Sequence, residues 1–253
     1  MRDPRHIVIT GASSGLGAAL AEQYAASGIT VSLQGRDIER LEQVAEKAER
    51  RGAHATIAAL DVTDGKGMKA WLDSCEDMRP IDLVIANAGI SGGTGEGQES
   101  EQQAHAIFDT NVTGVLNTLH PVIPAMLERQ QGQIAIMSSL ASFLGAAGAP
   151  AYCASKAAVR VYGEALRGVL KPQGVKVNVI CPGFVKTPMT DVNSFPMPFL
   201  MSAERAAAII QRGLADDEPR IAFPWALYAA VRLLNIAPAA LTRLVTERLP
   251  KKY

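Results

Sequence analysis

A chain of 253 residues, 48% of them apolar, is long enough to bury one large core or two small ones. Its 25 basic and 25 acidic residues cancel and are scattered, which excludes the electrostatic footprint of a nucleic-acid binder. The three cysteines, Cys75, Cys153 and Cys181, are odd in number and show no metal spacing, so free thiols in a reducing compartment and no metal site are expected.

In chain order, continuously apolar runs near 7–10, 30–34, 54–60, 81–86, 133–138, 175–180 and 220–223 read as strands covered on both faces. Amphipathic helical stretches lie between them, such as 37–51, where Ile38, Leu41 and Ala45 share one side. This alternation predicts a doubly wound parallel sheet, a Rossmann-type α/β fold, as a single domain over 1–253. The first strand starts too early to leave room for a signal peptide, so a cytoplasmic location is expected.

The first strand runs directly into Gly11-Ala12-Ser13-Ser14-Gly15-Leu16-Gly17 and then into a helical stretch. Strand, glycine turn and helix together suit a dinucleotide pyrophosphate. Gly11 allows the tight turn, Gly15 lets the backbone approach phosphate, and Gly17 lets the helix pack near the strand. The spacing is G-x-x-x-G-x-G rather than the commoner G-x-G-x-x-G. Gly11, Gly35, Asn87, Ser139 and Pro182 all fall at predicted carboxyl ends of strands, where such sheets bind ligands.

Tyr152 is followed four residues later by Lys156, with Ser139 thirteen positions upstream. Four residues on a helix place tyrosine and lysine on one face. A phenol ordinarily holds its proton to about pH 10, and a fixed positive charge beside it favours the phenolate. Ser139 offers a hydroxyl to a carbonyl or alcohol oxygen. The three can exchange a proton with a carbinol oxygen while another group moves a hydride. Cys153 has no histidine partner and reads as a small buried hydrophobe.

Together these motifs resemble the short-chain dehydrogenase/reductase family in its common form of about 250 residues. The likeness runs from Ile7 to about Met189 and rests on separate segments. Thr10 to Gly17 resembles T-G-x-x-x-G-x-G, Asp61-Val62 the adenine-side D-V, and Asn87-Ala88-Gly89 the N-A-G after the fourth strand. Asn111 resembles the helix asparagine, and Pro182-Gly183 through Val185 and Thr187 the P-G-x-x-x-T beside the nicotinamide. Ala86 stands where many relatives carry a second asparagine. The resemblance implies a carbonyl/alcohol oxidoreductase. In it Tyr152 is the acid in reduction and the base in oxidation, Lys156 lowers its pKa and holds the nicotinamide ribose, and Ser139 polarises the substrate oxygen. It also implies that Asn111 anchors a water joining Lys156 to solvent; a buried helix asparagine satisfying backbone is the plainer reading. Ser138 competes with Ser139, and the family spacing to Tyr152 selects Ser139.

Cofactor choice turns on the tip of the second strand. Gly35 offers no carboxylate to a ribose, and Arg36 presents a fork of donors suited to a 2′-phosphate, with Ser14 as a weaker aid. NADP(H) is therefore expected over NAD(H), with NAD(H) possible, while Asp37 caps the next helix. Substrate specificity is expected in 91–100, 140–151 and 187–202, and a substrate lid over roughly 187–215. Phe143, Leu144, Phe195, Met197, Phe199, Leu200 and Met201 there favour an apolar or amphipathic substrate. A C-terminal helical extension, 224–253, carries two apolar stretches. It packs on the core, forms a subunit interface, or lies on a membrane surface with Trp225 and Arg232 at the boundary. The apolar stripe Ala157, Ala158, Val161, Ala165, Leu166 and Val169 predicts a twofold dimer, with a tetramer as the alternative. The rival class is a dinucleotide-binding regulator or scaffold that has lost the chemistry.

Overall fold

A computed structural model describes residues 3–94 and 98–237, together with Thr242 and Thr246. Seven parallel strands form one sheet: β1 (His6–Ile9), β2 (Thr30–Gly35), β3 (His54–Ala59), β4 (Leu83–Ala86), β5 (Gly132–Met137), β6 (Val175–Pro182) and β7 (Arg220–Phe223). Their order across the sheet is β3-β2-β1-β4-β5-β6-β7. Chain direction reverses its winding between β1 and β4, the place where such sheets open a crevice at their carboxyl ends.

The helices are α1 (Gly15–Tyr24), α2 (Ile38–Arg50), α3 (Gly65–Met78), α4 (Glu101–Phe108), α5 (Gly114–Leu119), α6 (Ile123–Glu128), α7 (Pro150–Leu170), α8 (Pro188–Asp191), α9 (Ala203–Ala215) and α10 (Trp225–Ile236). Side-chain caps fix several starts. Asp37 accepts from the Arg40 amide, as expected, and Asp64, Ser100 and Ser202 do the same for α3, α4 and α9. Strand residues alternate between two cores. Ile7, Ile9, Leu83 and Ile85 face the layer of α1, α2 and α9, while Val8, Val84, Ile134 and Ile136 face that of α3, α5 and α7.

Three expectations are corrected, and a fourth lies partly outside the described residues. The strands are not uniformly apolar or covered: β2 buries Thr30, Ser32 and Gln34, and β3, at the sheet edge, is only half-buried. Ser32 is satisfied by His6 Nε2 at 2.8 Å and by the Thr56 hydroxyl at 2.9 Å. The inward stripe of α2 is Leu41, Val44 and Ala48, and Ile38 is 42% exposed. Capping by Asp37 sets the rotational phase of that helix, which leaves its first residue outside. The lid does not extend to 215, because Ala206, Ala207, Ile210 and Leu214 of α9 are buried against the α1 layer. Of the extension, residues 224–237, which include α10, and two threonines belong to the described residues; the second apolar stretch, 239–249, otherwise lies outside them. Among the described residues no helix is long and apolar enough to cross a membrane.

Candidate active site

The turn after β1 is shaped by backbone geometry that only glycine tolerates easily. Gly11 has φ +64, and a side chain there would come within 2.7 Å of the Ala88 backbone. A Cβ at Gly17 would lie 2.2 Å from the Gly11 carbonyl oxygen, so α1 closes tightly on the strand end. Asn87 braces this turn. Its side-chain amide donates to the Thr10 and Gly11 carbonyls at 2.9 and 3.2 Å, while the Thr10 hydroxyl accepts from the Asn87 and Ala88 amides, both at 3.1 Å. Ser14, the N-cap of α1, makes no side-chain cap, which leaves the first amides of the helix facing the cleft.

The cleft itself has a volume of about 280 Å³. It brings together Gly11, Ser13, Ser14, Gly15, Leu16 and Gly17 with Arg36, Asp61, Val62, Asn87, Ala88 and Gly89. Ser139, Tyr152, Lys156, Pro182, Gly183, Val185 and Thr187 line its other end. Of the catalytic and cofactor-binding residues expected from the sequence, only Asn111 lies off this wall. Its elongated, glycine-lined shape, with free helix amides at one end and a tyrosine–lysine pair at the other, fits an extended dinucleotide. Among the described residues no group of three or more His, Cys, Asp or Glu side chains could hold a metal.

Tyr152 and Lys156 sit in the first two turns of α7, over the carboxyl end of β5. Ser139 Oγ accepts from the Ala141 amide at 3.1 Å and is hydrogen-bonded with Tyr152. Ser138 is turned away, its hydroxyl donating to the Lys156 carbonyl at 2.8 Å. The two serines thus point to opposite sides of the strand end. Lys156 Nζ donates to the Met137 carbonyl at 3.0 Å and stands 5.9 Å from the Tyr152 ring centroid. Part of the Tyr152 side chain remains open to the cleft, yet the surroundings of its hydroxyl are crowded.

That crowding governs the proton affinities. Burial pushes the Tyr152 phenol above its ordinary value of 10, with the Ser139 hydrogen bond pulling the other way. Burial also pushes the Lys156 ammonium down to about 8. The sequence argument, in which the lysine charge lowers the phenol, therefore omits the larger effect in this geometry, which is desolvation of both groups. Cys153 beside Tyr152 is buried, and burial raises its thiol, as expected of an inert cysteine.

Asn111 lies in a π-helical turn, Asp109–Thr113, between α4 and α5. Its side chain is fully engaged: Oδ1 accepts from the Ile90 amide at 2.8 Å, and Nδ2 donates to the Ile90 carbonyl and Ser155 Oγ, both at 3.0 Å. Gly89 keeps Asn111 and Lys156 close, since a Cβ there would lie 3.0 Å from Asn111 Oδ1 and 3.2 Å from Lys156 Nζ.

Sequence reasoning missed Gln34, which reaches from β2 to accept from the Gly11 amide at 3.2 Å and to donate to the Leu60 carbonyl. A glutamine inside a buried strand was the available signal. Ile90, Thr110 and Met137 also line the cleft without having been named, while Pro188, Met189 and Thr190 belong to the segment 187–202 expected to shape specificity. Phe143 was expected to shape substrate specificity, but it is buried beneath Arg160, Arg220 and Arg232 against α10. Met201 is likewise buried in the core, and Phe199 and Leu200 are exposed.

The sequence matches the family profile described as short chain dehydrogenase over residues 5–195. The chain belongs to this family. It is similar to an uncharacterized oxidoreductase of Myxococcus xanthus, 38% identical over 246 residues and 97% of each chain. A short chain dehydrogenase/reductase of Burkholderia phymatum, solved in complex with NAD, superposes with a TM-score of 0.85 at 25% identity, over 100% of this chain and 98% of its own. A short-chain dehydrogenase of Sphingobium yanoikuyae, solved with NADPH, shares the fold with a TM-score of 0.82 at 24% identity over 98% of both chains. As a short-chain dehydrogenase the protein is an oxidoreductase of Rossmann-like fold.

Proposed function

We propose that this short-chain dehydrogenase interconverts a secondary alcohol and its carbonyl using a nicotinamide dinucleotide, with Tyr152 as proton donor and acceptor. The observation carrying this reading is the contact of the Tyr152 and Ser139 hydroxyls beside Lys156, at one end of the cleft that begins at the glycine turn. The Burkholderia phymatum relative, which binds NAD, supports the class of cofactor.

The turn from Gly11 to Gly17 and the first amides of α1 would hold the pyrophosphate. Asp61, Val62 and Ala88 would border the adenine side, and Gly89, Pro182, Gly183, Val185 and Thr187 the nicotinamide side. Gly35 and Arg36 favour a 2′-phosphate, hence NADP(H) over NAD(H). When bound, the dinucleotide supplies or takes up the hydride. Ser139 Oγ donates to the substrate oxygen and polarises it, and the Tyr152 hydroxyl delivers its proton to that oxygen in reduction. In oxidation the same oxygen gives the proton back. Lys156 keeps positive charge behind the phenol, and Asn111 holds the Ile90 backbone and Ser155 so that the route from Lys156 to solvent stays open. Ile90, Met137, Val185 and Met189 make the substrate end apolar, which favours an apolar or amphipathic ketone or alcohol.

Tyr152→Phe removes the transferable proton and keeps the ring. Cofactor titration should change by no more than about threefold, while turnover in a screen of ketones and secondary alcohols should fall by at least ~100-fold. Near-wild-type turnover in that variant would sink the mechanism. Cofactor binding with no turnover of any substrate by the wild type would favour a binding protein instead.

A further inference from the structure

Tyr152 occupies a vulnerable place, the third residue of α7 and so within its first turn. First turns fray unless their free amides are capped. Ala149, at the N-cap position, has no side chain to do so, and Pro150 contributes no amide. The cap comes from 52 residues upstream: Glu99 Oε2 accepts from the Ala151 amide at 3.0 Å. The loop bearing Glu99 is fixed at two further points around the cleft mouth. Ile90 is bonded in both directions to Asn111, and the Thr94 amide donates to the Gly148 carbonyl at 3.1 Å. The second carboxylate oxygen, Glu99 Oε1, is buried with no hydrogen-bond partner among the described residues.

We propose that Glu99 is a positioning residue: its carboxylate caps the catalytic helix from the loop after β4 and thereby holds the Tyr152 hydroxyl against Ser139. This rests on the reading of Tyr152 as the proton-transfer group. A carboxylate at this end of the helix is favoured both by the free amide and by the helix dipole. Lys156, one turn further on and anchored independently to the Met137 carbonyl, does not depend on the cap. Loss of Glu99 therefore disturbs proton transfer more than cofactor binding, because a shift of about 1 Å at a reacting group costs on the order of 100-fold in rate.

In the full-length protein, Glu99→Ala is expected to speed amide hydrogen exchange across residues 151–153. It should lower kcat roughly 10- to 100-fold, with cofactor Kd and KM within about twofold. Glu99→Gln should restore most of the kcat, since its amide oxygen still accepts from Ala151 and its nitrogen replaces an oxygen with no hydrogen-bond partner among the described residues. A prop with no bearing on Tyr152 would lower thermal stability and leave kcat alone. Unchanged exchange or unchanged kcat in Glu99→Ala overturns the proposal, as does a folded Glu99→Gln as slow as the alanine variant. Glu99→Asp, one methylene short of the amide, gives the same reading if the alanine variant does not fold. A wild type that turns over nothing defeats the role of Tyr152 instead, and the exchange measurement still decides the cap.

Discussion

Arg36 is the side chain on which the proposed preference for NADP(H) rests. Its side chain is 71% exposed, and its Nη1 lies 3.8 Å from the Asp61 carboxylate. An ion pair this open contributes little, roughly 0–1 kcal/mol, so the fork remains available to a stronger anion. Gly35 beside it carries no side chain to crowd the approach; a Cβ there would meet Ser13 at 3.1 Å. Arg36→Ala is expected to weaken NADPH binding about 10-fold, the scale of one exposed charge-assisted contact, and to leave NADH binding within about twofold. Fluorescence titration of both cofactors checks this. A wild type that binds NADH more tightly would show that the tip of β2 has been misread.

α10 shows what an element can do for a site it does not enter. Leu227, Tyr228 and Val231 pack on the cluster of Leu140, Phe143, Val179 and Cys181. The Tyr228 hydroxyl accepts from Arg220 at 2.9 Å, and its ring meets Phe143 edge-on at 5.5 Å. A side chain at Gly183 would lie 3.1 Å from Leu227. The helix therefore backs both the turn after Ser139 and the Pro182-Gly183 segment. Its other face is apolar as well, with Trp225 79% and Ile236 76% exposed. Deleting residues 224–253 should uncover the Phe143 cluster and yield insoluble protein or a melting temperature lower by several degrees. A truncated form that stays soluble and equally heat-resistant would instead mark the extension as a detachable partner or membrane element.

At the scale of the whole molecule, the two faces of α7 have separate tasks. Val159, Gly163 and Leu170 face the sheet, and a Cβ at Gly163 would come within 2.7 Å of Val179, so the helix lies close against β6. Ala154, Ala158, Val161, Ala165 and Val169 face outward, and Val161 is 55% exposed; of the stripe expected from the sequence, Ala157 is half-buried and Leu166 packs on the core. An outward apolar stripe of small residues along one 21-residue helix suits a twofold self-contact, so we propose a dimer formed through this face. Val161→Glu should convert it to monomer, as read by light scattering at micromolar concentration. A monomeric wild type at the same concentration would exclude the proposal.

What the sequence determined by itself was much of what is set over a few residues. The spacing from Tyr152 to Lys156 fixes a shared helix face, the order Gly11, Gly15, Gly17 fixes a turn, and the alternation of apolar runs fixes a parallel sheet. These follow from helix pitch, glycine's backbone freedom and strand burial, which act locally. The tertiary structure decided what depends on residues far apart in the chain. It put Gln34 against Gly11, Glu99 on the Ala151 amide, and Phe143 under α10 instead of in the cleft. It also decided the proton affinities of Tyr152 and Lys156, because desolvation is a property of the packed surroundings and no spacing along the chain encodes it.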